Sequence, residues 1–570
     1  MINNVHRGMP RQARGAARSP AKRSQAPWVN LYPTPLTEEL DCGCEDALSL
    51  FRAAVRTRPD GPALIYFDEI ISYSTLDADS DALALWLQDK GVGAGDRVCV
   101  VTQNIPAFPL LCIAAWKVGA IPVPGNPMYK PAELSRLIAD AEPNAILCQE
   151  GESESTLVAL ADAGLNHIPF VIASPHDMQS RNDSRILPSK VASPQGTTLA
   201  SILEEYRGRT PQQIDLDPDD LGLILYTSGT TGAPKGAMIR HSSLAFNGQI
   251  MRDWCGLTDG DTILAIAPLF HITGFACHMC TAFSARCGML INYRFNPQVV
   301  VELVKEHRPT FTIGAITAFN AIAGIPDVTA ADLSSLTKVW SGGAPIPPAL
   351  RDNIQNRLGI SILTSYGMTE LTSAAVLAPP SCSVPQRDDV LSIGIPIPST
   401  DIRIADEQGH EVGVGESGEL LVRGPQVMAG YWRKPEESDD ALNDGWMHSG
   451  DIGFMDAGGW VYLVDRKKDV IIASGFKIWP REVEDVLYAH PHIREAAVIG
   501  VADPYRGETV KACVSLAPSG STTEEELIAF CRERLTGYKV PRIVVIMDDL
   551  PKTISGKIQR AELRKSPEPS

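Results

Sequence analysis

No stretch of about 18 uninterrupted apolar residues occurs in this chain of 570 residues, so no membrane-spanning helix is expected. Positive charge is also short: 51 basic residues stand against 68 acidic ones, a formal net charge of −17. That balance argues against a nucleic-acid partner, which selects for a basic footprint. Low-complexity tracts and solenoid-period repeats are missing, and the 44% apolar and 21% charged fractions are those of an ordinary globular chain. The twelve cysteines are scattered and form no disulfide framework, which fits a reducing cytoplasm. Cys42 and Cys44 are one residue apart, and Cys277, His278 and Cys280, with Cys287 downstream, imitate half a zinc site. No second Cys or His pair stands at a matching spacing, so these thiols read as core residues.

The length is too great for one core, and two or more domains are expected. Residues 1–37 carry six basic residues (Arg7, Arg11, Arg14, Arg18, Lys22, Arg23) and no acid, leaving −23 on the remainder. Residues 1–40 therefore read as a basic, disordered tail, with an organelle transit peptide as the alternative. From about residue 45, short apolar runs alternate with helical periods: strands over 97–102, 120–124 and 144–148, helices over 105–119 and 131–141. Unbroken apolar strands separated by helices predict α/β architecture, with layered, mainly parallel sheets covered by helices, over residues 41–466. Residues 176–198 read as a surface loop. The last hundred residues predict a small α+β unit over 467–570, with helices at 480–489 and from a capping box of Thr523 and Glu526 through 535, and strands at 496–501, 510–516 and 542–547. The charged run 465–469 reads as the exposed linker between the two units.

The strongest local signal is 226–236, YTSGTTGAPKG, which an apolar strand over 221–226 enters. Glycines let backbone amides turn toward a ligand, hydroxyls add donors and a lysine adds charge; together they make a phosphate cradle. Its candidate residues are Thr227, Ser228, Gly229, Thr230, Thr231, Gly232 and Lys235. A Walker-type loop is excluded, because Pro234 precedes the lysine and Gly236 follows it. Ser242 is placed to cap the next helix, so a strand intervenes where a Walker loop would begin one.

This loop resembles the signature of the adenylate-forming superfamily: acyl- and aryl-CoA synthetases, luciferases and peptide-synthetase adenylation domains. Further segments resemble that family's motifs in its order: 268–274 (PLFHITG), 341–345 (SGGAP), 366–370 (YGMTE), 418–424 (GELLVRG), 449–451 (SGD), 465–466 (DR) and 555–557 (SGK). The resemblance spans about residues 45–565, and local wording is most similar to bacterial fatty acyl-CoA ligases.

The resemblance implies a role for each matching residue. Lys557 bridges the attacking carboxylate and the α-phosphate of ATP. Glu370 holds Mg2+, and Thr369 donates to a phosphate. Tyr366 stacks on the adenine within the run Tyr366, Gly367, Met368, with the Gly342, Gly343, Ala344 backbone on the other face. Asp451 accepts from the ribose hydroxyls, supported by Arg466; read alone, its alternative is a structural turn aspartate. His271 is placed by the acyl carboxylate, where a lone histidine on an apolar face is otherwise a core residue. Phe270, Phe275, Gly314 and Ala315 wall the acyl pocket, Gly475 meets CoA, and Lys468 is the hinge on which the small domain turns.

The implied function is ATP-dependent acyl-CoA synthesis: a carboxylic acid and ATP give acyl-AMP and pyrophosphate, and CoA then gives acyl-CoA and AMP. The windows 270–275, 312–319, 341–344 and 366–373, which the resemblance places around the acyl pocket, hold no Lys, Arg or His besides His271, which favours an apolar monocarboxylic acid such as a fatty acid. An enzyme loading a carrier protein, an aryl-CoA ligase and a nucleotide-binding pseudoenzyme remain as alternatives. The partners implied are the acid, ATP and CoA; assembly as a homodimer is left open.

Overall fold

The protein is described from a computed structural model covering residues 26–40, 42–190, 196–227, 234–387, 390–466, 469–473, 476–503, 506–518, 520–553 and 556–564, the side chains of Arg466 and Lys477 excepted. The strand–helix alternation of the first third forms an all-parallel sheet in the order Ile121–Pro124, Arg97–Val101, Ala145–Gln149, Phe170–Ala173, Thr197–Thr198. Helix Ala107–Lys117 is buried at every position, as expected of a helix apolar on all faces that sits between layers. Helix Pro131–Ala141 has the predicted bounds, starting at a proline whose missing N–H costs nothing at that position.

A second sheet, of 15 strands among the described residues, changes character at its middle. One half is parallel, in the order Pro62–Tyr66, Gly288–Ile291, Thr262–Leu264, Phe311–Gly314, Lys338–Ser341, Ile362–Met368. Beyond Ile362–Met368 it continues antiparallel through Ser373–Leu377, Val390–Pro396, Val461–Arg466, Trp446–Met455, Gly418–Arg423 and Asp401–Ala405. The layered α/β architecture is as expected. The antiparallel half was not foreseen; its strands Gly418–Arg423 and Trp446–Met455 mix buried and half-buried residues and lack the continuous apolar runs of the parallel ones. A small sheet pairs Gly430–Tyr431, Lys235–Arg240 and Leu221–Thr227, and the strand Lys235–Arg240 stands where a Walker loop would open its helix. Ser242 is not the cap of that helix: His241–Trp254 begins after Arg240 with no side-chain cap, and Ser242 lies in its first turn.

The C-terminal unit is built on a mixed sheet of Phe476–Ile478, Ile471–Ala473, Gly507–Leu516, Ile493–Asp503 and Ile543–Met547, covered by helices Pro480–Tyr488 and Glu524–Arg532. The capping box is present, with Glu526 N donating to Thr523 Oγ1 and Thr523 N to Glu526 Oε2. The strand Val461–Arg466 belongs to the large sheet and Ile471–Ala473 to the small one, so the two sheets part within the charged run.

The expectation of a tail over residues 1–40 needs correction. Residues 1–25 lie outside the described residues, but Trp28, Leu31, Tyr32 and Leu36 pack against the main core. The Tyr32 ring meets Trp254 edge-on and its hydroxyl donates to Pro396 O at 2.9 Å, while Leu40 N donates to Ser399 Oγ at 3.1 Å. The charge pattern pointed to solvent; two aromatic side chains with large apolar surface decide for burial.

Candidate active site

Tyr366 lies in the last part of the strand Ile362–Met368, where the sheet turns from parallel to antiparallel. At Gly367 the next strand passes so close that a Cβ would stand 1.3 Å from Ser373 O, a crossing only glycine permits. The Tyr366 hydroxyl donates to Asp451 Oδ2 at 2.8 Å, and both groups are buried. Asp451 lies on Trp446–Met455 opposite Arg466 on Val461–Arg466, so the backbone brings the two residues of the expected ribose site side by side. Gly342, Gly343 and Ala344 follow the strand Lys338–Ser341, with Gly343 at φ +81°.

Thr369 and Glu370 form the short turn Thr369–Leu371 after Met368. Glu370 is 8% exposed; its Oε1 accepts from the Tyr431 hydroxyl at 2.8 Å and its carbonyl from Met428 N at 2.8 Å. Tyr431 pairs with Ala237 in the strand Lys235–Arg240, and Lys235 Nζ sits 5.0 Å over the Tyr431 ring. One phenol thus joins the magnesium candidate to the lysine of the cradle. The sequence reading missed Tyr431, since a lone tyrosine far along the chain carries no signature and only strand pairing brings it to Lys235. Thr227 closes its strand with Oγ1 donating to Lys235 O at 3.4 Å; Ser228, Gly229, Thr230, Thr231 and Gly232 lie outside the described residues.

His271 lies after Phe270 and before a π-helix, Thr273–Cys280, whose irregular hydrogen bonding often marks functional positions. Thr273 N donates to its Nδ1 at 3.4 Å, which places the ring proton on Nε2. Burial, and to a lesser degree the charge of Lys557, push the imidazole down to about 4, so His271 is neutral at pH 7. Lys557 reaches this place on a loop of the C-terminal unit. Thr317 Oγ1 donates to Gly556 O at 3.1 Å, and Lys557 N donates to Thr553 Oγ1 at 3.1 Å. The loop therefore docks on the helix Ile316–Ala323 that follows Gly314 and Ala315.

The acyl-pocket candidates divide. Ala315 is half-buried and close to the docked loop, and Phe270 is 9% exposed. Phe275 has no exposed surface and packs edge-on against Phe108 and Trp116, which makes it a core residue in this arrangement. Gly314 is buried as well: Ile266 Cγ2 stands 2.6 Å from where its Cβ would be. Gly475 and Lys468 lie outside the described residues, as does the Arg466 side chain. Cys277, Cys280 and Cys287 are buried, and His278 bonds through Nε2 to Ile313 O at 3.0 Å.

The family model described as AMP-binding enzyme matches residues 51–432, and its C-terminal domain matches 482–557. The chain belongs to the AMP-binding enzyme family. Within that adenylate-forming superfamily it falls on the acyl-CoA synthetase branch, whose reaction class is that of an AMP-forming acid–thiol ligase. It is 34% identical over 554 residues to the long-chain-fatty-acid–CoA ligase of Bacillus subtilis (strain 168), covering 95% of this chain and 98% of that one. It is 35% identical over 511 residues to a feruloyl-CoA synthase of Amycolatopsis sp, covering 90% and 96%. Among solved structures, ATP-bound MatB from Rhodopseudomonas palustris superposes with a TM-score of 0.80 at 29% identity, over 91% of this chain and 98% of that one. No helix among the described residues of this AMP-binding enzyme is long and apolar enough to cross a membrane.

Proposed function

We propose that this enzyme converts a fatty acid to its CoA thioester in two steps at one site. In the first, a carboxylate oxygen attacks the α-phosphorus of ATP; the O–P bond forms, the bond to the β-phosphate oxygen breaks, and pyrophosphate leaves. In the second, the CoA sulfur attacks the acyl carbon, the bond to AMP breaks, and the thiol proton passes to solvent. The observation that carries this reading is the docking of the Gly556–Lys557 loop on Thr317, which sets the Lys557 ammonium near His271. A cation there brings two anions together and stabilises the charge that develops as pyrophosphate departs.

The other residues fall into supporting roles. Asp451 and Arg466 take the ribose, and Tyr366 with the Gly342–Gly343–Ala344 backbone encloses the adenine. Thr227, the 228–232 loop, Lys235 and Thr369 take the phosphates. Neutral His271 lies by the carboxylate as a hydrogen-bond donor, and Phe270 and Ala315 begin the acyl wall. Glu370 fits a magnesium ion and would hold it: it is a buried hard-oxygen donor whose carboxylate is oriented by the Tyr431 hydroxyl on Oε1. When bound, the ion supplies positive charge to the phosphate oxygens. Twelve cysteines with no disulfide among them fit a reducing, cytoplasmic setting.

The test is a panel of fatty acids of graded length beside benzoic and hydroxycinnamic acids, read as pyrophosphate release and as thioester formed with free CoA. Turnover with medium or long fatty acids is expected. Turnover confined to the aromatic acids would overturn the fatty-acid reading, and pyrophosphate release without CoA thioester would point to a carrier protein as acceptor.

A further inference from the structure

Three residues past Lys557, a guanidinium gathers three carboxylates from three parts of the chain. Arg560 Nη2 donates to both Glu484 oxygens at 2.8 Å, on the helix Pro480–Tyr488 of the C-terminal unit. Its Nη1 donates to Asp469 Oδ2 at 3.3 Å, in the segment linking the units, and lies 3.6 Å from Asp465 Oδ1, in the last strand of the large sheet. All four side chains are largely buried: 19% exposed for Arg560, 3% for Asp465, 11% for Asp469 and 10% for Glu484. Asp465 is held a second time by the C-terminal unit, its Oδ2 accepting from Arg481 N at 3.1 Å, while Arg481 Nη1 donates to Leu463 O at 2.6 Å.

These contacts do not share one fate when the C-terminal unit turns about the linker. Glu484 and Arg560 belong to the same unit and travel together. Asp465 belongs to the large sheet, so its bonds to Arg560 and Arg481 hold only in the orientation with Lys557 docked. Breaking them leaves a nearly buried carboxylate without these partners, which costs far more than the loss of an exposed pair. Asp465 is also joined through the next residue, Arg466, to the strand register of Asp451.

We propose that Asp465 and Arg560 are a positioning pair that holds the C-terminal unit in the adenylation orientation, so that their attraction sets the relative speed of the two half-reactions. This rests on the two-step reading above. Neither residue touches substrate; both act through the placement of Lys557. A brace that merely stabilised the fold would slow both steps alike.

The experiment compares wild type, Asp465→Asn and Arg560→Lys by single-turnover kinetics, measuring pyrophosphate release with acid and ATP, and thioester formation from supplied acyl-AMP and CoA. Asparagine keeps an oxygen for Arg481 N and removes the charge facing Arg560; lysine keeps the charge but loses the guanidinium fork that faces Asp465 with one arm while holding Glu484 with the other. Expected is a slowing of adenylation by roughly tenfold or more, because the contact weakened is a largely buried ion pair at 3.6 Å, with thioester formation unchanged or faster. The KM for ATP should stay within about threefold of wild type, since no nucleotide contact is removed. Equal slowing of both steps, or of neither, overturns the pair. Melting is recorded for each variant; should Arg560→Lys unfold at the assay temperature, Asp465→Asn alone decides. Absence of pyrophosphate release by wild type itself would instead refute the two-step reading.

Discussion

Tyr366 and Asp451 stand four strands apart along the large sheet, yet their side chains meet in a hydrogen bond of 2.8 Å. At the usual strand spacing a flat sheet would separate their backbones by roughly 19 Å. The antiparallel half must therefore curl back on itself, around a core that includes Ile393, Ile402, Met447 and Val461. The curl puts the adenine-stacking candidate against the ribose candidate.

Tyr366→Phe keeps the ring and removes the donor to a buried carboxylate. It should lower unfolding free energy by about 2 kcal/mol and raise the KM for ATP several-fold. Urea midpoints and initial rates check both; an unchanged midpoint would mean that Asp451 is fully satisfied without Tyr366.

Gly556 lies at φ +81°, and a Cβ there would stand 2.3 Å from Thr317 Oγ1. Gly556→Ala should therefore lift the loop and slow adenylation by roughly tenfold or more, while Lys557→Ala should slow it on the order of 10²–10³. Both should still convert supplied acyl-AMP and CoA to thioester. Rates are read for each step separately, and a Lys557→Ala enzyme equally poor at both contradicts its assignment to the first.

Tyr431→Phe removes the hydroxyl on Glu370 and leaves the ring beneath Lys235. Pyrophosphate release should fall roughly tenfold, with a higher magnesium concentration at half-saturation. A magnesium titration superimposable on that of wild type would place Tyr431 outside the machinery.

Burial holds His241 at about 4 and His278 at about 3, against 6.5 in the unfolded chain. As pH falls below about 6.5 the unfolded chain binds protons first, and the folded chain follows only near the lower values. Stability should thus fall from pH 6.5 toward 4, by up to about 1.4 kcal/mol per pH unit for each histidine, and these two groups should give no slope above pH 7. Urea midpoints at pH 7, 6 and 5 measure it. In His241→Phe, whose ring still faces Trp116, the slope should be shallower; an equal slope would assign the acid sensitivity to other groups.

The sequence by itself determined three strands of the first parallel sheet and four helices, because their apolar periods are local. Helix Pro131–Ala141 and the capped helix Glu524–Arg532 follow from such signals. It also pointed to candidate site residues wherever a motif is contiguous, as at Tyr366 to Glu370. Tertiary structure alone decided what depends on distance between remote segments. Residues 26–40 were read as tail by their charge, yet Trp28 and Tyr32 fold onto the core. Tyr431 reaches Glu370 across 61 residues and Thr317 meets Gly556 across 239, pairings that no local period encodes. The neighbours of the pocket candidates Phe275 and Gly314 also come from remote segments: Phe108 and Trp116 for one, Ile266 for the other. Composition and spacing state which side chains are available; the close packing of the interior settles which of them face a ligand.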